Sequence, residues 1–234
     1  MVRRCAIFDL DRTLTCRPTW LRFLLFANRG RPGFAPDLAM LGWMALRWQL
    51  GRASRDDVKE AGLACLRWAD RSELSRLGEA FARRECASGL RPGALRGLEQ
   101  HRAEGDALVL MTAAPEITAL PLARALRFDH VICTPVCWTQ EGRLTGRIAL
   151  PNCYGAVKAA RLDTLAEELG GIEIAAAYSD HISDLGLLRR AARGVAVNPS
   201  PALRRAALTE GLEIVDWGRP APVPASPRIP ETAS

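Results

Sequence analysis

The sequence predicts an α/β fold: a parallel sheet covered by helices on both faces, with a helical segment inserted after the first strand. Short apolar runs followed by turn-prone residues recur along the chain, which is typical of strands buried on both faces of a parallel sheet. Segments of helical periodicity separate these runs, and strands that alternate with helices favour a doubly wound arrangement. Residues 17–88 are the exception, because helical segments and turns follow one another there without a convincing strand.

The predicted strands are apolar runs of four to seven residues. In chain order they are Cys5–Leu10, Asp106–Met111, His130–Cys133, Ile172–Tyr178, Gly194–Asn198 and Leu212–Asp216. The helices predicted between and after them are Pro92–Glu104, Pro115–Leu126, Tyr154–Leu169, Leu185–Ala192 and Pro201–Glu210. Between Cys137 and Leu150, the Glu141-Gly142 step predicts a small inserted hairpin.

These elements predict two parts and a tail. The sheet and its helices comprise residues 1–16 and 89–218, and the inserted helices comprise residues 17–88. Residues 219–234 contain five prolines and few apolar groups, which predicts a disordered tail. Within the insertion, Phe34–Leu50 is apolar nearly all round. Two interpretations stay open for it: a buried helix, or a partly exposed surface that meets lipid or an apolar substrate.

Composition narrows the class of protein. The chain has 234 residues, of which 48% are hydrophobic and 25% charged, so wholesale disorder and collagen-like structure are excluded. It has no apolar run long enough for a membrane span or a signal peptide. Its seven cysteines form no CxxC pair and indicate reduced thiols rather than disulfides or a zinc site. We therefore expect a cytoplasmic protein, with a peripheral position at the inner face of the membrane as the alternative.

A net charge of +6 favours anionic partners, namely phosphate esters, acidic lipids or nucleic acid. Nucleic acid has only this charge in its favour and is not expected as a partner.

Two carboxylates mark the end of the first predicted strand, at Asp9 and Asp11. Carboxylates two residues apart on an extended chain point to the same side, and the carboxyl ends of parallel strands are where open α/β sheets bind ligands. Because like charges repel, such a pair requires a cation or a shared proton. With a divalent metal, one carboxylate attacks phosphorus while the other exchanges a proton with the leaving and entering oxygens. The alternative is a surface pair of aspartates in a turn.

The run Asp9-Leu10-Asp11-Arg12-Thr13 resembles the signature of the haloacid-dehalogenase-like phosphohydrolase superfamily. Three later segments resemble its remaining motifs in the same order: Leu108–Thr112, Tyr154–Leu162 and Tyr178–Leu185. The resemblance covers roughly residues 3–217, and four motifs in order are far more specific than any one of them. It implies a doubly wound, Rossmann-like core with an inserted helical cap, and a phosphatase activity.

The resemblance also implies roles for three aspartates. Asp9 corresponds to the nucleophile that forms an aspartyl-phosphate, and Asp11 to the general acid and base. Mg²⁺ is expected as the cofactor, held by the Asp9 carboxylate, the main-chain carbonyl of Asp11 and Asp180, with water completing its shell.

Three further residues correspond to supporting positions. Thr112 and Lys158 are expected to bind the phosphoryl oxygens, and Asp184 to orient Lys158 or metal-bound water. Each has a structural alternative: Thr112 as a helix cap, Lys158 as a solvated helix residue and Asp184 as the N-cap of the following helix. For His181 we expect a solvent-facing loop position and no catalytic role.

The insertion after the first motif places the resemblance in subfamily IB, which includes phosphoserine phosphatases. Those enzymes use an acidic residue after the first motif to bind the substrate amine, but Thr15–Trp20 contains no acid and adds Arg17 to Arg12. Phosphoserine is therefore disfavoured. The resemblance is greatest to the phosphatidylglycerophosphatase C-like branch, which implies a lipid phosphate monoester as substrate, while a small soluble phosphate monoester stays open. Aromatic residues interspersed with arginines in the insertion, such as Trp43 and Trp48 with Arg47, predict peripheral contact of the cap with an anionic membrane. The alternatives are a dehalogenase-type hydrolase and a non-catalytic phosphate- or membrane-binding protein.

Overall fold

A six-stranded sheet organises the protein, which is described here over residues 2–218 of a computed structural model. The strands of that region are β1 (Arg3–Phe8), β2 (Ala107–Pro115), β3 (His130–Thr134), β4 (Val136–Trp138), β5 (Leu144–Ile148), β6 (Ile172–Ser179), β7 (Arg193–Val197) and β8 (Glu213–Val215). The sheet has the order β3-β2-β1-β6-β7-β8 with all neighbours parallel, whereas β4 and β5 form a separate antiparallel hairpin.

Within the same residues, nine α-helices accompany the strands. They are α1 (Thr19–Ala27), α2 (Phe34–Gln49), α3 (Arg55–Ala64), α4 (Arg71–Ser88), α5 (Pro92–Ala103), α6 (Glu116–Ala125), α7 (Ala156–Glu168), α8 (Leu185–Arg190) and α9 (Pro201–Glu210).

Both faces of the sheet are buried, as the apolar strand runs predict. Successive side chains of a strand point to opposite faces. Accordingly, Ala6 and Phe8 of β1 pack with α5 and α6, while Cys5 and Ile7 pack with α7, α8 and α9. The predicted doubly wound α/β fold is therefore confirmed.

The order of the strands determines where a ligand can bind. Phe8, the last residue of β1, is in register with Leu110 of β2 and with Tyr178 of β6. From β1 the sheet continues through β2 and β3 on one side and through β6, β7 and β8 on the other. Ligands of open α/β sheets bind beyond the carboxyl ends of the strands where the order reverses, and here that position follows Phe8.

Helices α1–α4, called the inserted helices below, lie between β1 and β2 in the chain. They share a core with α6 and the β4–β5 hairpin, and Phe23, Leu63 and Phe81 contribute fully buried side chains to it. The two connections to the sheet run side by side, since Cys16 N donates to Gly89 O over 2.8 Å and Arg91 N to Leu14 O over 2.8 Å. The assignment of residues 17–88 to a separate domain stays a prediction.

Helix α2 differs from the other inserted helices because Leu41 is its only buried residue. It packs on α3 and leaves large apolar side chains exposed. The interpretation of this segment as a buried helix is therefore wrong. The partial exposure of the alternative is observed, while its contact with lipid or an apolar substrate stays a prediction. None of the helices in residues 2–218 has the length and apolarity needed to cross a bilayer.

The predicted hairpin is formed by β4 and β5, and it contacts the inserted helices. Arg147 Nη1 donates to Glu60 Oε2 of α3 over 2.7 Å, and Ile148 N donates to Glu60 Oε1 over 3.2 Å. The hairpin thereby connects α3 with the part of the chain between β3 and α7.

Each of the six predicted strands of the sheet is present, with shifted ends. Strand β1 stops at Phe8 rather than Leu10, because Thr15 N donates to Leu10 O over 3.0 Å and draws Leu10 into a tight turn. Strand β2 continues to Pro115, past the predicted end at Met111. The predicted tail, residues 219–234, lies outside the described residues.

Two glycines of the inserted helices offer a test of the packing. A Cβ atom on Gly78 of α4 would lie 2.7 Å from Ile117 O and 2.8 Å from Pro121 Cγ of α6, whereas one on Gly42 of α2 would meet nothing within 4 Å. We expect Gly78→Ala to lower the free energy of unfolding by about 1–3 kcal/mol through overpacking. Gly42→Ala should raise it by about 0.5–1 kcal/mol, because alanine restricts the unfolded chain.

Urea denaturation of the two variants beside the wild type measures both effects. Equal changes of the same sign would contradict the close packing of α4 on α6.

Candidate active site

A cavity of about 370 Å³ lies beyond the carboxyl end of β1, between the sheet and the inserted helices. All six residues predicted to form a site line it: Asp9, Asp11, Thr112, Lys158, Asp180 and Asp184. They come from four separate parts of the chain, which the ends of β1, β2 and β6 and the start of α7 bring together.

The buried ammonium group of Lys158 joins two carboxylates at the floor of this cavity. Lys158 Nζ donates to Asp9 Oδ1 over 2.6 Å and to Asp184 Oδ2 over 2.8 Å, and Lys158 is only 4% exposed. Ser179 Oγ also donates to Asp184 Oδ2, over 2.7 Å. Lys158 is therefore not a solvated helix residue. Asp184 does occupy the N-cap position of α8, but its carboxylate makes no capping hydrogen bond and binds Lys158 instead.

Burial dominates the electrostatics of this group. It raises the pKa of Asp9 from 3.8 to about 7, although the positive charge of Lys158 opposes the shift. Burial also acts to lower the pKa of Lys158, but the charges of Asp9 and Asp184 outweigh it and raise that pKa above its ordinary value. The ammonium form of Lys158 is thus the stable one at neutral pH.

Asp11 reaches the cavity by way of a turn rather than by strand alternation. The chain leaves β1 at Asp9, and Arg12 takes a left-handed conformation with φ 65°. Asp11 Oδ1 then accepts hydrogen bonds from Thr19 N over 2.7 Å and from Thr19 Oγ1 over 2.8 Å, at the first residue of α1. Both carboxylates therefore face one cavity, as expected, although the turn and Thr19 rather than a continuous strand set the position of Asp11.

Thr112 lies within β2 and is 1% exposed. Its Oγ1 accepts a hydrogen bond from Ala114 N over 3.0 Å, and α6 begins beyond it at Glu116 without a side-chain cap. The helix-capping alternative for Thr112 is therefore wrong.

Asp180 follows the end of β6 and is 7% exposed. Burial raises its pKa from 3.8 to about 6, while the charge of Arg12 opposes the shift. Behind the strand, His101 Nε2 lies 2.8 Å from the hydroxyl of Tyr178, and His101 Nδ1 lies 2.7 Å from Asp106 Oδ2. These buried contacts hold the end of β6 and, with it, the position of Asp180.

His181 lies in the loop after β6, as expected, but it is half-buried and lines the cavity rather than facing open solvent. Its Nδ1 accepts a hydrogen bond from Ser183 N over 3.2 Å and lies 3.3 Å from the Tyr154 hydroxyl. Burial lowers the pKa of His181, which favours the neutral ring.

Lys59 of α3 is a cavity residue that the sequence patterns do not reveal. Its Nζ donates to Asn152 Oδ1 over 2.6 Å, lies 3.5 Å from Thr134 Oγ1 and also donates to Ala113 O, next to Thr112. Burial lowers the pKa of Lys59 to about 8. The surrounding run Arg55–Glu60 is mostly charged and looks like a solvated helix start, so no local signal distinguishes this lysine.

Arg55, at the start of α3, lies at the rim of the cavity. Its guanidinium carbon lies 4.2 Å from the ring centre of Tyr154 and 5.1 Å from that of Trp48. Two aromatic rings thus hold a cation at the entrance, through contacts between α2, α3 and the sheet domain.

Comparison with known proteins agrees with this geometry. A family profile described as haloacid dehalogenase-like hydrolase matches residues 6–189, more than three quarters of the chain. The chain belongs to this hydrolase family. The expected superfamily is therefore confirmed.

Named relatives indicate the class within the haloacid dehalogenase-like hydrolases. A probable phosphatase of Mycobacterium tuberculosis is 28% identical over 249 residues, covering 99% of this chain and 84% of the relative. A phosphoserine phosphatase of the same organism is 30% identical, covering 91% of this chain and 70% of the relative. A crystal structure of a Bordetella pertussis protein of unknown function has a TM-score of 0.82 at 30% identity, covering 93% of this chain and all of that one. The relatives confirm an enzyme of the phosphatase class.

The donor set at the cavity floor suits a hard divalent cation. Asp9, Asp11, Asp180 and Asp184 bring four carboxylates into one largely buried space, and Lys158 pairs with only two of them. Burial raises the pKa values of Asp9 and Asp180, because their charged forms are poorly solvated there. Carboxylate and carbonyl oxygens are the ligands that Mg²⁺ prefers, so the residues of this hydrolase fit that ion.

The raised pKa of Asp180 predicts how the metal-free protein responds to pH. A carboxyl group whose pKa rises from 3.8 to about 6 on folding binds its proton more tightly in the native state. Its contribution to stability is therefore complete below pH 3.8 and is lost as the pH rises through about 6. Asp180→Asn removes this titration and should raise the free energy of unfolding by about 1–3 kcal/mol at about pH 8, but not at about pH 4.

The measurement is chemical denaturation in the presence of a chelator at both pH values. Asp163→Asn, on the exposed side of α7, serves as the control. It should change the free energy of unfolding by the same amount at both pH values. The same pH dependence in Asp180→Asn and wild-type protein would contradict the assigned burial of Asp180.

Proposed function

We propose that this hydrolase is a Mg²⁺-dependent phosphomonoesterase that works through an aspartyl-phosphate intermediate. The observation that carries the proposal is the contact of Asp9 with Lys158 at the floor of the cavity, while Asp11 stands apart and is bound by Thr19. Such an arrangement supplies a fixed nucleophile, a counter-charge and a separate group for proton transfer. An aspartyl-phosphate mechanism and the use of Mg²⁺ are general features of the family.

Asp9 is the proposed nucleophile. One of its carboxylate oxygens attacks phosphorus, the new O–P bond forms, and the bond between phosphorus and the ester oxygen breaks. Lys158 neutralises charge on the phosphoryl group and on Asp9, and Thr112 donates a hydrogen bond to a phosphoryl oxygen. Water then attacks the aspartyl-phosphate, which releases inorganic phosphate and restores the Asp9 carboxylate.

Asp11 is the proposed general acid and base. Burial raises its pKa, which favours the protonated form that the departing ester oxygen needs. Because Thr19 binds Asp11 Oδ1, the other carboxyl oxygen is the one that transfers the proton, first to the leaving group and then from the attacking water.

Mg²⁺ would be held by the carboxylates of Asp9 and Asp180 and by the main-chain carbonyl of Asp11. When bound, it supplies positive charge that lowers the repulsion between the phosphate dianion and the carboxylates. Asp184 orients Lys158 from the opposite side, which its 2.8 Å hydrogen bond supports.

The proposed substrate is a small or lipid phosphate monoester. Arg12, Arg55 and Lys59 line the cavity, so its entrance presents cations to the leaving group. An ammonium group is poorly accommodated beside them, which disfavours phosphoserine even though one relative is a phosphoserine phosphatase. In this proposal residues 17–88 form a cap over the site of the core, residues 1–16 and 89–218, and the enzyme works in the cytoplasm, where the cap contacts the inner face of the membrane.

The dehalogenase-type and non-catalytic alternatives are less well supported. Dehalogenases of the superfamily need neither a metal nor a second carboxylate, and here Asp11 and Asp180 both line the cavity. A protein that only binds phosphate or membrane has no need for the buried contact of Lys158 with Asp9.

Asp9→Asn should abolish turnover of p-nitrophenyl phosphate while leaving the fold intact, because an amide keeps the shape of the side chain but is a far poorer nucleophile. Wild-type protein quenched in acid during turnover should carry phosphate that hydroxylamine releases. Peptide mass spectrometry locates that phosphate, and the expected position is Asp9.

Asp163→Asn is the matched control, since it makes the same chemical change at an exposed site. Substantial turnover by Asp9→Asn, or a phosphate on another residue, would overturn the proposed nucleophile.

Removal of divalent metal by a chelator should abolish turnover, and added Mg²⁺ should restore it. Asp180→Ala should raise the Mg²⁺ concentration needed for half-maximal turnover by about tenfold or more, because it removes a ligand. Ca²⁺ is expected to inhibit, since its coordination number of about six to eight lets Asp9 bind it through both carboxylate oxygens. Turnover that survives thorough chelation would refute the metal requirement and favour the dehalogenase-type alternative.

A further inference from the structure

Helix α2 has apolar side chains on its solvent-facing side, where surface helices normally have polar residues. The side that packs on α3 contains the buried Leu41. On the solvent-facing side, the exposed fractions of Met40, Trp43 and Leu46 are 58%, 55% and 44%. Leu50, just after the helix, is 59% exposed. Positions 40, 43, 46 and 50 recur at helical spacing, so these side chains form one stripe. This group of Met40, Trp43, Leu46 and Leu50 is called the outer stripe below.

Positive charge surrounds the outer stripe. Residues 29–52 contain four arginines, Arg29, Arg31, Arg47 and Arg52, against the single acid Asp37, a net charge of +3. Three of these arginines, Arg29, Arg47 and Arg52, are exposed. An apolar stripe bordered by arginines is complementary to an anionic lipid bilayer, whose charged head groups cover an apolar interior.

Helix α2 adjoins the entrance of the candidate active site on the side of Leu41, because Trp48 follows Leu41 by about two helical turns. Trp48, near the end of α2, lines the cavity, and Arg55 of α3 lies 5.1 Å from its ring centre. A surface that binds α2 is thereby held next to the opening that leads to Asp9.

We propose that the outer stripe docks the enzyme on the surface of an anionic membrane. At 16 residues, α2 is about 24 Å long and lies in the plane of the interface, with Met40, Trp43 and Leu46 in the region between head groups and acyl chains. Arg47 and Arg52 contact the lipid phosphates. Docking of this kind would present a phosphate ester of the membrane to the cavity. This role rests on the proposed function.

The positive charge around the outer stripe favours binding to an anionic membrane over binding to a second copy of the chain. An isologous dimer through the outer stripe would bring the two sets of arginines together, with a net charge of +3 on each side. An anionic lipid layer, in contrast, neutralises each of them and contributes about fivefold in binding for each arginine near the surface.

Co-sedimentation with vesicles tests the docking. The full chain is mixed with phosphatidylcholine vesicles that do or do not contain phosphatidylglycerol, at low and at high salt. We expect binding to the anionic vesicles at low salt and release at high salt. Met40→Ser combined with Trp43→Ser should weaken binding by about tenfold or more, since apolar area drives insertion. Arg52→Gln should weaken it by about fivefold.

Leu208→Ser is the matched control, because Leu208 of α9 is 69% exposed on the sheet domain and should leave binding unchanged. Turnover of p-nitrophenyl phosphate in solution is measured for every variant. Normal turnover without vesicle binding would overturn the docking alone, whereas vesicle binding without turnover in the wild type would overturn the proposed function alone.

Sedimentation equilibrium without lipid completes the design. A wild-type dimer that the Met40→Ser, Trp43→Ser variant converts to a monomer would assign the outer stripe to a second copy and refute the membrane proposal. A monomer in both proteins supports it.

Discussion

Lys158 holds its ammonium group between the carboxylates of Asp9 and Asp184 in a space from which solvent is nearly excluded. A buried charge that loses its partner costs about 3–5 kcal/mol, so the three groups are stable only together. This requirement ties the end of β1, the start of α7 and the segment after β6 into one arrangement. Because Ser179 also binds Asp184, the end of β6 is part of the same network.

Burial of the carboxylates in this cavity is nevertheless costly. Lys158 binds Asp9 and Asp184, but burial still holds the pKa values of Asp9 and Asp180 well above 3.8. Such a site reduces the stability of the metal-free protein at neutral pH. In the proposed function a bound Mg²⁺ would offset this cost, so function and the stability of the metal-free protein oppose each other here.

The inserted helices complete the site from the other side. Thr19 at the start of α1 orients Asp11, and Lys59 of α3 binds the loop after Thr112 through Ala113. At the rim, Arg55 stacks on Tyr154. These contacts link the position of the helices to Asp11 and Thr112, the groups proposed to transfer protons and bind phosphate, whereas α2 exposes its outer stripe.

The sequence by itself determined the α/β fold, the position of the insertion and the six residues that line the cavity. The fold follows from local patterns, because apolar runs and the turn residues after them mark the strands, and the carboxyl ends of parallel strands meet at one edge. Of the six residues, Thr112, Lys158, Asp180 and Asp184 are those that the resemblance to the family implies. Only the tertiary structure decided how Asp11 is oriented, that Lys59 and His181 enter the cavity, and that α2 is exposed. Each of these depends on contacts between residues far apart in the chain. Lys59, for instance, meets Asn152 across 93 positions, and an apolar helix has the same periodicity whether or not a neighbour covers it.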